Sequence, residues 1–370
     1  MSQKLKNLIR ILISALIVVG VLFLLQKILV PKYVSGIVEG AFVAEYYKEE
    51  DKDFDVIFVG DCEVYENFST ATLWEEYGIN SYIRGSAEQY IWQSYYLLKD
   101  CFRYHKPKVA VFNIQSLQFN ESQSEAYNRM SIEGMEWSLA KIGNIIASMT
   151  PEEHFLDYVF PILRYHSRWS ELTGDDFRYM FDSPNVSFNG YFMRVDTRPV
   201  DYIPDPVQLP DYNFGEKAWE YLDRIRKLCK KNNVQLVFVK APSLYPTWYD
   251  EYDEQVRKYA QMYSIPYYNF LELTEETGLD YSTDTYDAGL HLNINGAEKM
   301  SHYFGQILIE KYGVEDRRGD SSLDALWEKE IEAYEAEIDR QCVLYGVEKD
   351  SLYRYSKVTE TEETDTEEES

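Results

Sequence analysis

Apolar positions along this chain follow three different patterns. From Ile11 to Gln26 they form one run of Ile, Leu, Val, Phe and Ala, interrupted only by Ser14 and Gly20. Further on the apolar runs are short. Asp55–Val59, Ser81–Ile83, Lys108–Asn113, Gln235–Lys240 and Pro266–Phe270 read as buried strands. Between them the period changes to that of a helix. In Ala87–Tyr104, Ile91, Tyr95, Leu98 and Phe102 share one face, and Pro107 ends the pattern. Glu216–Lys231, Glu251–Tyr263 and Asn295–Tyr312 read the same way. Strands that alternate with helices predict an α/β fold: a flavodoxin-like, three-layer parallel sheet with helices on both faces.

The third pattern is an interruption. Residues 118–214 are rich in Tyr, Phe, Trp, Ser, Asn and Pro and lack the alternation. They read as an insertion between two halves of one α/β domain spanning 53–317. Such insertions commonly shape a substrate site. Residues 33–52 are expected to be a connector. Residues 318–345 are expected to hold an amphipathic helix, with Leu323, Leu326, Trp327, Ile331, Tyr334 and Ile338 in one stripe. Residues 346–370 are expected to be an acidic, disordered tail; Thr359–Ser370 holds seven acidic residues and no apolar one.

Charge is divided unevenly. Lys4, Lys6, Arg10, Lys27 and Lys32 all precede the first acidic residue, while the whole chain has a net charge of −26. Residues 1–32 are therefore expected to be a cytoplasmic stub and a transmembrane anchor at the plasma membrane. The basic residues before the apolar run place the N-terminus in the cytoplasm and the main domain outside it. A body this acidic argues against a nucleic-acid partner, since phosphates need the opposite sign. The 33 Tyr suit sugar stacking as well as core packing.

Chemistry is sparse and therefore legible. Of four cysteines, Cys101, Cys229 and Cys342 continue apolar helix faces, where a thiol behaves as a small hydrophobe. Cys62 differs: it follows Val59-Gly60-Asp61 at a strand end. Far downstream lies Asp287-Ala-Gly-Leu-His291-Leu-Asn293, just before a helix. A nucleophile at a strand end and a distant Asp/His pair is an arrangement that activates an attacking atom. Lys240 ends a strand at the same expected edge. Within the insertion, Arg164, His166 and Arg168 sit among Leu163, Tyr165 and Trp169, a mixture suited to a polar ligand with an anionic or carbohydrate part. The five His form no metal-ligand spacing and no phosphate-cradling Gly loop occurs, so neither metal nor cofactor is expected.

These segments resemble the SGNH/GDSL hydrolase superfamily. Val59-Gly60-Asp61-Cys62 is similar to its first block, with Cys62 where the family has a nucleophilic Ser. Gly85 in Ile83-Arg84-Gly85-Ser86 matches the second block and Asn113 the third; in the family both donate to an oxyanion hole. Asp287 and His291 match the fourth, and His291-Leu-Asn-Ile-Asn-Gly-Ala297 is similar to its ending. The resemblance covers about Asp55 to Tyr312 without the insertion. The N-terminal anchor is similar to that of the DltD-like and alginate-acetylation branches. Three departures stand out. Cys62 replaces Ser, Asp287 precedes His291 by one residue more than usual, and Val111 stands where the third block has Gly. Asp284 therefore remains an alternative to Asp287.

The resemblance implies an extracytoplasmic ester hydrolase or O-acyltransferase working on a cell-envelope polysaccharide or teichoic acid, with a membrane-bound O-acyltransferase as partner. Cys62, His291 and Asp287 would be catalytic. Gly85 and Asn113 would hold the oxyanion, and Arg164, His166, Arg168 and Lys240 would bind substrate. The rival expectation is a catalytically silent subunit that holds a polysaccharide.

Overall fold

The computed structural model describes residues 2–32 and 39–356. At its centre is a five-stranded parallel sheet in the order β2-β1-β3-β4-β5. The strands are β1 (Val56–Gly60), β2 (Ser81–Gly85), β3 (Val109–Asn113), β4 (Gln235–Lys240) and β5 (Tyr267–Asn269). All pairings are parallel, with Val56 opposite both Ser81 and Val109. β1, β2 and β3 are buried along their whole length, as strands covered on both faces must be.

Alternate side chains feed two cores. Val56, Phe58, Val109, Val111, Val237 and Val239 face the helices Thr70–Tyr77, Ile294–Tyr312 and Ser321–Tyr345. Ile57, Val59, Ala110, Phe112, Leu236 and Phe238 face Ile91–Cys101, Glu216–Lys231 and Asp250–Tyr263. The fold is thus the expected three-layer α/β architecture. Its strand order reverses direction between β1 and β3, which opens a crevice at the sheet's C-terminal edge, where ligands of such sheets bind.

Several segments pack more deeply than their sequence suggests. Phe42 and Tyr46 of the expected connector are buried in the two cores, and the Val43 carbonyl accepts from Arg84 Nη1 at 2.7 Å; residues 33–38 lie outside the described residues. The insertion folds into short helices between Glu125 and Arg178, but its later part is woven into the domain. Tyr191, Met193 and Val195 are core residues, and the Asn189 carbonyl accepts from Ile83 N at 2.9 Å on the edge strand. The C-terminal helix Ser321–Tyr345 stacks Trp327 on Trp74 at 5.1 Å and buries Tyr334, Ile338 and Cys342. The expected tail does not begin at 346. Leu352 is buried and Arg354 pairs with Glu335 at 2.9 Å, so residues 346–356 pack back on the body; residues 357–370 lie outside the described residues.

The apolar run lies within one long helix, Gln3–Leu29, which is long and apolar enough to cross a membrane. Its side chains are exposed up to Leu24, and Leu29 is buried against the body.

Candidate active site

β1 delivers the nucleophile candidate. Gly60 and Gly85 are paired at the ends of neighbouring strands. A Cβ on Gly60 would lie 2.4 Å from Val64 Cγ2, and one on Gly85 would lie 2.8 Å from Tyr65 Cδ1. Both positions need glycine because the chain doubles back over them. Asp61 is extended and Cys62 starts the short helix Cys62–Tyr65. Cys62 is only half-buried, whereas Cys101, Cys229 and Cys342 are buried, and all four thiols are free. Among the four, Cys62 is therefore the one a substrate can reach.

The loop before Ile294–Tyr312 delivers the other two groups. His291 Nδ1 lies 2.6 Å from Asp287 Oδ2, and its backbone N–H donates to Asp287 Oδ1 at 2.8 Å. Thr285 Oγ1 locks the turn by donating to the His291 carbonyl at 2.7 Å and accepting from Gly289 N at 2.8 Å. The additional residue between Asp and His is absorbed by two left-handed residues, Ala288 at φ 66° and Gly289 at φ 94°. Ala in that region costs about 1–2 kcal/mol. Such strain persists where the surroundings over-determine it. Asp284 is placed elsewhere: it is buried and binds Lys299 Nζ at 2.7 Å.

With Asp287 at Nδ1, the nitrogen left free to take a proton is Nε2. Nε2 is buried and has no hydrogen bond of ordinary geometry, yet the Cys62 thiol is near enough to shift the proton affinity of the ring. Burial pushes the Cys62 thiol up to about 11, against the pull of His291. Burial also lowers the His291 imidazole, but the Cys62 thiolate, Glu66 and Asp287 outweigh it and hold its pKa well above the usual value.

Three groups that the sequence patterns do not reveal complete this side. Glu66 Oε2 lies 3.5 Å from His291 Nδ1 and accepts from Tyr286 Oη. Burial raises Glu66 to about 7. Tyr286 stacks on the imidazole at 6.2 Å. Tyr127, from the insertion helix Glu125–Ile132, is half-buried; Glu88 is the main cause of its raised phenol pKa and Cys62 the least. No spacing signal marks these residues, because all three reach the site through tertiary contacts. The nearest hint is Glu66, one helical turn after Cys62.

Several expected site residues have other duties. Asn113 Nδ2 donates to Asp61 Oδ1 and Glu63 Oε2, each at 3.0 Å, and its Oδ1 accepts from Ala241 N at 3.1 Å. Its amide protons are spent on carboxylates, so it is not an open oxyanion donor. Lys240 is 1% exposed; its Nζ holds both Glu63 oxygens at 2.8 and 2.9 Å and the Ala241 carbonyl at 2.7 Å. It is a buried ion-pair partner, out of a substrate's reach. Beneath Cys62 there is thus a closed polar network of Asp61, Glu63, Asn113 and Lys240. Burial beside Glu63 raises Asp61 to about 7.

The insertion residues are not brought to Cys62. Arg164 Nε pairs with Glu125 at 2.8 Å, His166 Nδ1 meets the Leu163 carbonyl at 2.8 Å, and Arg168 Nη1 donates to the Leu29 carbonyl at 2.5 Å. Their partners belong to the insertion and the N-terminal helix. Of the expected ancillary residues, Gly85 and Asn113 lie beside the turn at Gly60–Cys62, and Asn113 is occupied there by Asp61 and Glu63.

No protein-family model matches the sequence, and no curated protein matches it. Among solved structures, the chain is similar to the crystal structure of a "putative acylhydrolase" from Bacteroides fragilis, with 11% sequence identity and a TM-score of 0.35. That likeness covers 73% of this chain and 95% of the other.

Proposed function

We propose that this chain is a membrane-anchored acyl-transfer enzyme, an ester hydrolase or O-acyltransferase with a Cys-His-Asp site. The observation that carries the reading is the Asp287–His291 pair, a carboxylate 2.6 Å from Nδ1 on an imidazole whose buried Nε2 makes no hydrogen bond, together with Cys62 as the accessible thiol at the end of β1. In the proposed reaction Cys62 Sγ attacks an ester carbonyl and its proton passes to His291 Nε2. The tetrahedral oxyanion is held by the backbone N–H groups of Cys62 and Gly85. Collapse expels the alcohol, which takes the proton back from His291 and leaves a thioester on Cys62. Water or an acceptor hydroxyl then attacks the thioester, with His291 again the base, and frees the thiol.

The motif resemblance and the long apolar helix support an acceptor at the cell envelope, a polysaccharide or teichoic acid, and an extracytoplasmic body. By the same resemblance a membrane-bound O-acyltransferase would supply the acyl group. One observation favours a second reading, a silent binding subunit: Asn113 is saturated and burial pushes the thiol up. Turnover decides between them. Full-length protein in detergent is assayed on acetyl and D-alanyl esters beside Cys62→Ala. The enzyme reading expects turnover that Cys62→Ala lowers by about 10³-fold or more. Absence of turnover supports the silent subunit, and turnover that Cys62→Ala leaves unchanged rules out Cys62 as the nucleophile.

A further inference from the structure

The segment around Leu163–Trp169 has no part in the Cys62 site, yet it carries a cluster of exposed apolar side chains. Leu163, Trp169, Phe177 and Phe181 are each between 50% and 65% exposed. They lie on segments that adjoin the helix Gln3–Leu29 where it meets the body. The short helices Ile162–Tyr165 and Gly174–Arg178 pack against that helix. Arg168, next to Trp169, holds the Leu29 carbonyl. Phe181 shares a cavity of about 520 Å³ with Lys27, Val30 and Lys32.

Length and chemistry explain why these side chains face outward. The uncharged stretch from Ile11 to Gln26 covers about 24 Å at 1.5 Å per residue. A bilayer's hydrocarbon core is roughly 30 Å thick. A ring of apolar side chains at the Leu29 end makes up the shortfall on the body's side. Trp and Phe beside a membrane helix are suited to the headgroup layer, where a rigid ring has an apolar body to bury. Lys27 lies at the same level and complements a lipid phosphate, while the Lys32 ammonium closes the end of the helix on the Lys27 and Ile28 carbonyls.

We propose that the insertion rests on the lipid surface through Leu163, Trp169, Phe177 and Phe181, and so fixes the orientation of the body against the bilayer that the helix Gln3–Leu29 crosses. The inference rests on the membrane reading of that helix and is independent of catalysis. It accounts for the Leu163–Trp169 segment, whose side chains find no partner at the active site.

Full-length protein in phosphatidylcholine–phosphatidylglycerol vesicles, with bromine on the upper acyl chains, provides the test. Bromolipids should quench tryptophan fluorescence. In a Trp137→Phe background, which removes the exposed indole lining the cavity of Phe181, Trp169→Phe should remove most of that quenching, and Trp248→Phe, packed on the second core cluster, should leave it unchanged. If the protein survives an alkaline carbonate wash and Trp169→Phe alters nothing, the docking is overturned and the membrane helix stands. If the wash releases the protein, the membrane reading falls and the docking with it. If Trp169 is shielded from both bromolipid and aqueous acrylamide, a protein surface covers this face and lipid docking is overturned.

Discussion

At the C-terminal edge of the sheet, segments remote in sequence converge. Cys62 comes from the end of β1, Tyr127 from the insertion, and Asp287 and His291 from the loop before the last helix of the sheet. His291 is buried there, and Cys62, Tyr127 and Asp287 are half-buried around it. At the other region, around Leu163–Trp169, the polar contacts of Arg164, Tyr165, His166 and Arg168 stay within the insertion or go to the N-terminal helix, and Arg164 and His166 remain exposed. Both regions mix charged and aromatic residues. The difference teaches that a catalytic site is marked by convergence of buried groups, whereas a rich local mixture on a surface marks a contact face.

The sharpest way to break this comparison lies within one loop. Asp287 and Asp284 are three residues apart, but only Asp287 touches the imidazole, while Asp284 is held by Lys299. Asp287→Asn should lower kcat/KM on an active ester by up to about 10⁴, because the ring loses its fixed tautomer. Asp284→Asn should leave the rate within a few-fold and lower the melting temperature, since it weakens a buried ion pair. A rate collapse in Asp284→Asn with an active Asp287→Asn would reverse the assignment.

Much of this was legible in the sequence, for identifiable reasons. β1, β3 and β4 are continuous apolar runs between turn signals, and burial on both faces leaves such runs no alternative. The Cys62, Asp287 and His291 positions follow from their place at strand and helix ends. Asn113 and Lys240 were not legible as network members: the same positions at strand ends suit an oxyanion donor or a substrate ligand equally well. What decides is Glu63, whose carboxylate takes both. A glutamate one residue after the nucleophile reads in sequence as a solvated helix position. Residues 186–196 were illegible as core because their burial depends on the edge strand and the C-terminal helix, and on no periodicity of their own.

The next largest effect separates support from contact. Lys240→Met leaves Glu63 buried without its cation, which should cost about 3–5 kcal/mol of stability. The double change Lys240→Met with Glu63→Leu should recover much of that loss, as replacing a whole buried pair with apolar groups often does. Chemical denaturation of the three proteins measures it. If Lys240→Met unfolds no more easily than the parent while KM rises sharply, Lys240 is a substrate ligand after all.

Buried carboxyls should also make stability depend on pH. Burial raises Asp61, Glu66 and Glu298 each to about 7. These carboxyls hold protons more tightly folded than unfolded. Their contribution is complete below the unfolded carboxylate range near 4 and is lost as pH climbs through about 7. The melting temperature should therefore be higher at pH 5.5 than at pH 8, and Glu66→Gln should flatten part of that slope. A melting temperature that rises from pH 5.5 to 8 contradicts the burial of these groups.

The smallest effect is expected where the sequence mixture is richest. Arg164 is half exposed and its one charged partner is Glu125, at 2.8 Å. An exposed pair of that kind contributes about 0–1 kcal/mol, because solvent screens it and both long side chains must be held still. Arg164→Ala should shift the melting temperature only slightly and leave KM and kcat for a small ester within about twofold, since a loss below 0.5 kcal/mol changes a rate by little more than that. Titrating the variant and parent with the same ester checks this directly. A tenfold rise in KM would mean that substrate extends from Cys62 onto the insertion. The two regions would then be one extended site, and the boundary between chemistry and contact face would have to be redrawn through the helix Glu125–Ile132, which carries Tyr127 toward the thiol and Glu125 toward Arg164.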